Sequence, residues 1–167
     1  MPKYITEMDE AKIVQKLLLT KGGDYFLFSL LKESNVRVRP IGFIHEVPAI
    51  HIFKVGGTEE NVLGDAMSSG RGNFQISNIA ISVITRRKVS KTYNGVVYEG
   101  VELCKKIRDI VKQVMFENHR FYDGDYPDVE FVLESMSSDL EAGGIQNYGA
   151  ISTSELRYSI TSEIKRG

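Results

Sequence analysis

The groups in this chain best suited to chemistry are three histidines, one cysteine and several acidic clusters, and their spacing limits what they can do. His45, His51 and His119 contain no i,i+4 pair, so no helix can offer two imidazoles to one metal ion. Cys104 stands alone and cannot build a structural zinc site. The serines lack the Gly-x-Ser-x-Gly elbow, and no dinucleotide fingerprint follows a strand pattern. Asp123, Asp125 and Asp128 invite a calcium reading, with Glu134 in the twelfth position counted from Asp123. Pro127 stands where a further oxygen ligand belongs, and residues 129–133 read as a strand, so the pattern is incomplete. Glu59 and Glu60 are adjacent carboxylates in a glycine-rich stretch, where water leaves little desolvation to tune a pKa. Glycines there would let backbone amides approach a phosphate, but no Gly-Lys-Ser/Thr follows and the acids repel an anion. No catalytic, cofactor-binding or metal-ligating set is therefore expected. A triad assembles in space rather than in sequence, so a small hydrolase or ligand-binding enzyme remains the alternative from another class.

The elements that would position any site are easier to read. Gly100 to Asn118 (GVELCKKIRDIVKQVMFEN) carries apolar residues at Val101, Leu103, Cys104, Ile107, Ile110, Val111, Val114 and Met115. Spacings of three and four put them on one stripe of a helix, with charged residues opposite. Such a helix must lie on something, and the rest of the chain supplies strands. Cys104 falls on the apolar stripe, so it reads as a packed core thiol.

Thr6 can cap a first helix that buries Ile13, Val14, Leu17 and Leu18 and ends near Gly22-Gly23. Tyr25 to Glu33 fits either a short helix capped by Asp24 or a strand, since its apolar run shows no single period. Val36 to Arg39 suits a short edge strand stopped by Pro40, and Ala49 to Val55 a second strand. Residues 56–72 hold five glycines and three acids, and read as a long flexible loop. Asn73 to Val89 is the longest strand pattern, with a phase slip near Ser77-Asn78 that a bulge would produce. It closes on Arg86, Arg87, Lys88 and then Lys91, either a solvated strand end or a contact for an acidic surface. Asn94-Gly95 is a turn signal before the central helix. Val129 to Met136 reads as a strand, Asp139 to Gly149 as a loop, and Ile151 to Ile164 as a strand with one wet face. The expected fold class is α+β: a twisted, mainly antiparallel sheet of four or more strands, with the N-terminal helix and the central amphipathic helix packed on one face.

Composition sets the outer bounds. A chain of 167 residues suits one domain, 1–167, with a single core. Its 21 basic and 22 acidic residues give a net charge of -1, which argues against nucleic-acid binding driven by bulk charge. A lone cysteine excludes an internal disulfide and fits a reducing compartment. Neither a secretory leader pattern nor an apolar run of membrane-spanning length is evident, so synthesis in the cytoplasm is expected.

Two strand motifs carry a resemblance. Pro48-Ala49-Ile50-His51-Ile52-Phe53 follows the N-terminal helices, and Leu156, Tyr158, Ile160, Thr161 and Glu163 form a Leu-x-Tyr-x-Ile-Thr-x-Glu pattern near the end. Together with the order of elements, they make the chain resemble the tail terminator, or tail completion, proteins of tailed bacteriophages. The resemblance implies a structural virion protein: a homo-hexameric ring that caps the tail tube and joins it to the head-side connector. Another head–tail connector part, such as a stopper or head-completion protein, is the nearest alternative. The implied partners are further copies of the chain, the tail tube protein and the head-side connector or stopper. DNA would pass through the channel without sequence-specific binding, and no membrane or cofactor would be involved. On this reading Glu59, Glu60, Arg71, Arg86, Arg87, Lys88 and Lys91 are the candidate subunit or partner contacts, with the acidic loop 56–72 lining the channel.

Overall fold

The computed structural model describes residues 7–39, 46–55, 60–61, 74–121, 129–142 and 151–163. Helix α1 (Glu7–Lys21) is followed by three short 3-10 turns, Gly22–Tyr25, Leu27–Ser29 and Glu33–Asn35. Then come strands β1 (Val36–Val38), β2 (Ala49–Lys54), β3 (Glu60–Asn61) and β4 (Phe74–Arg86), and a hairpin of β5 (Ser90–Tyr93) and β6 (Val96–Glu99). Helix α2 (Gly100–Glu117) leads into β7 (Arg120–Phe121), β8 (Val129–Ala142) and β9 (Ile151–Glu163). The main sheet has the order β1-β2-β4-β9-β8-β7, with β3 also paired to β4. Every pairing in it is antiparallel except β1 with β2. The fold is thus α+β, with both helices packed against a curled sheet.

The two motif strands, β2 and β9, lie on either side of β4. β4 and β9 pair continuously from Phe74↔Glu163 to Arg86↔Ile151. One face of this pair presents Ile79, Ile81 and Val83 from β4 with Leu156, Tyr158 and Ile160 from β9. Helix α2 lays Leu103, Cys104, Ile107, Ile110, Val111, Val114 and Met115 onto that face, and all of them are buried. Each large aliphatic side chain removed from water in this way contributes about 1.5–3 kcal/mol of transfer free energy before entropy is charged against it. α1 adds Ile13, Val14, Leu17 and Leu18 to the same cluster, over Ile50 and Ile52 of β2. The opposite sheet face also has buried positions, among them Ala49, His51, Ala80, Ser82 and Ile84.

Several local expectations are corrected. Residues 25–33 form neither an α-helix nor a strand, because Phe26 takes a left-handed φ of 58° that interrupts both. There is no bulge at Ser77-Asn78. Ser77 simply stands on the core face, where its Oγ donates to Glu10 Oε1 at 2.6 Å, and a satisfied polar side chain mimics a phase slip. The irregularities lie instead in β8, between Leu133 and Ser135 and between Asp139 and Ala142. β8 also runs on through residues 139–142, where a loop was expected. The long strand stops at Arg86, and residues to Val89 turn back, with Val89 N–H donating to Arg86 O at 3.1 Å. Within 56–72, residues 60 and 61 form β3, and the others lie outside the described residues.

Candidate interaction surface

The chemical groups singled out above do not converge. His51 is fully buried on β2 opposite Ser82, whereas His119 is exposed just beyond α2, with Nδ1 3.3 Å from Phe116 O. His45, Asp123, Asp125 and Asp128 lie outside the described residues, and Glu134 is exposed on β8. Among the described residues no group of three metal-ligating side chains comes together. Cys104 sits under α2 with its thiol donating to Val83 O at 3.2 Å and near Ser152 O at 3.6 Å. Burial pushes that thiol up to about 11, so it is a neutral core group at neutral pH. Burial likewise raises the Tyr158 hydroxyl. Tyr25 donates to Glu117, and that bond is the first cause of its raised pKa. No helix among the described residues is long and apolar enough to cross a membrane.

Of the proposed contact residues, Glu59 and Arg71 lie outside the described residues, and Glu60 pairs through its backbone with Ile76. Arg86, Arg87, Lys88 and Lys91 are brought together at the β4–β5 turn, with Arg87, Lys88 and Lys91 exposed. Gly100 makes this junction compact. Its N–H donates to Val89 O at 3.0 Å, its φ is +54°, and a Cβ there would lie 3.0 Å from Arg87 O. The hairpin that follows turns on Asn94 and Gly95, whose φ values of 49° and 78° suit a two-residue type I′ turn. Its Tyr93 and Tyr98 pack beside Lys106, whose Nζ lies 4.6 Å and 5.7 Å from the two ring centres. The alternate face presents Val97, 66% exposed.

A second surface escaped sequence reasoning. Where α2 ends, a groove of about 290 Å³ opens between the helix and β8, floored by Met115, Phe116, Phe131, Leu133 and Tyr158. Asp109, Lys112, Gln113 and His119 form its polar rim. Phe116 is 79% exposed, and Leu133 and Met136 continue the apolar strip along the helix-side face of β8. Beyond Phe131 the outer edge of β8 has no strand partner among the described residues, because β7 reaches only Val129 and Glu130. The signal was present in Val-Leu-Glu-Ser-Met, residues 132–136, where three apolar side chains outnumber what one buried face needs. Neither protein-family models nor curated proteins give a match to this chain.

Proposed function

We propose that the chain is a structural protein that works by self-association, as a tail terminator that forms a ring on the end of a phage tail tube and joins it to the head-side connector. The observation that supports this most is the coexistence of a well-filled core with an open, apolar sheet margin. Contiguous exposed apolar surface of this kind marks an interaction site, and an unpaired strand edge is a ready template for another chain. The two strands that carry the family resemblance, β2 and β9, flank β4 in the main sheet and each pairs with it along its length. The exposed cations at the β4–β5 turn supply a second, polar contact region.

The test is to purify the full chain and add it to polymerising tail tube protein. The proposal expects tubes that stop growing, with a ring visible at one end by electron microscopy. Tubes of unchanged length with bare ends would overturn it, and a protein that binds only the head-side connector would favour the stopper reading.

A further inference from the structure

Apart from Phe26 between the first two 3-10 turns, the described residues expose large apolar side chains in two places on one chain. One is the hairpin, with Val96 and Val97. The other is the margin of β8, with Phe116 above it, Leu133 and Met136 on its helix-side face and Val132 on the opposite face. Both are also β-edges without strand partners among the described residues. The hairpin is a separate two-stranded sheet held on α2 through Tyr93 and Tyr98, and among the described residues β8 is open beyond Phe131. Their charges are opposite. β8 (VEFVLESMSSDLEA) contains Glu130, Glu134, Asp139 and Glu141 and no basic residue. The segment leading into the hairpin carries Arg86, Arg87, Lys88 and Lys91 and no acid. Apolar area, backbone edge and charge each match between the two surfaces, and the two lie on different parts of the fold.

We infer that the hairpin β5–β6 of one copy docks on the open edge of β8 in the next, setting Val97 against Leu133 and Phe116 and Lys91 toward Glu134. This names the surfaces for the self-association proposed above and rests on that reading. The occupant is a second copy of this chain, because the chain itself carries a hairpin with exposed Val96 and Val97 that is entered through a basic turn. Docking by strand addition draws affinity from main-chain hydrogen bonds and specificity from the flanking side chains. Two different surfaces on one chain make a heterologous contact, which repeats from copy to copy and closes into a ring when the rotation allows.

The test uses Val97→Glu and Leu133→Glu in the full chain, both at exposed positions, with circular dichroism and thermal melts to show that each remains folded. By sedimentation velocity each variant should need at least ten-fold more protein than the unaltered chain to assemble. Mixed at equal and high concentration, they should form a species of two chains and nothing larger, since one intact hairpin meets one intact edge and growth then stops. The charge reversals Lys91→Glu and Glu134→Lys should each weaken assembly and, combined in one chain, restore it. Variants that assemble like the unaltered chain would overturn the docking mode and leave the ring reading standing. Variants that fail to assemble, and that neither mixing nor the paired reversal rescues, would also overturn it. An unaltered chain that stays monomeric at every concentration would remove the ring reading and this inference together.

Discussion

Strands β9 and β8 run side by side, yet they treat the same kind of residue differently. Leu156 is fully buried, while Met136, directly across from it, is 45% exposed. Tyr158 is buried, while its partner Leu133 is 38% exposed. The cause is the width of the roof. An α-helix with its side chains is about 10 Å across, and neighbouring strands lie about 4.8 Å apart. α2 can therefore cover β4 and β9 fully, whereas on β8 only the start, Val129 and Phe131, is buried and the strand is open from Leu133 to Met136. Apolar residues beyond that reach contribute little to folding, so their presence points to association.

The largest expected effect measures that contrast directly. Leu156→Ala should cost about 2–5 kcal/mol in urea unfolding, because it leaves a cavity under α2. Met136→Ala should stay within about 0.5 kcal/mol, as surface changes do. Equal losses at the two positions would break the comparison.

The next effect tests whether the covered region is as dry as Cys104 indicates. Its thiol ionises at about 11 in the folded chain against an ordinary 9.0, so the unfolded chain releases that proton first as pH rises. The stabilisation is complete below pH 9 and is lost progressively between about pH 9 and pH 11. Two units correspond to about 2–3 kcal/mol, and the raised Tyr158 adds to the loss with the same sign. Urea melts of Cys104→Ala should show a shallower decline over that interval than the unaltered chain.

Gly100→Ala sharpens the other side of the comparison, since it strains the junction that holds the hairpin against α2. A left-handed φ costs an L-residue about 1–2 kcal/mol, and the approach to Arg87 O adds to this. Thermal unfolding should show the loss. Gly95→Ala, at the hairpin tip with nothing within 4 Å of its Cβ, carries only the conformational cost of about 1 kcal/mol. Amide exchange in β5 and β6 should speed up with little change in the global melt.

The covered region was legible in the sequence and the margin was not. The stripe of α2 and the alternation Leu156, Tyr158, Ile160 are periodic because one surface buries them. The first two 3-10 turns meet at one left-handed residue, Phe26, and no local pattern announces it. Arg87 to Val89 merged with the long strand because nothing in their composition marks the reversal at Arg87-Lys88. The Asn94-Gly95 signal was correct as a turn, but the hairpin it closes needed recognition of the two short strands beside it. The parallel pairing of β1 with β2 depends on tertiary contacts, where Gln15 Nε2 donates to Val36 O at 2.9 Å and Asn35 Nδ2 to Pro48 O at 3.1 Å. The groove combines the end of one element with the edge of another, which no single stretch of sequence contains.

Native mass spectrometry of the unaltered chain over a range of concentrations tests the central claim most directly. The account predicts a closed assembly of several 18.8 kDa copies, six on the tail-terminator reading, that grows at the expense of monomer as concentration rises. A monomer at every concentration, or a two-fold dimer that never grows, would contradict it.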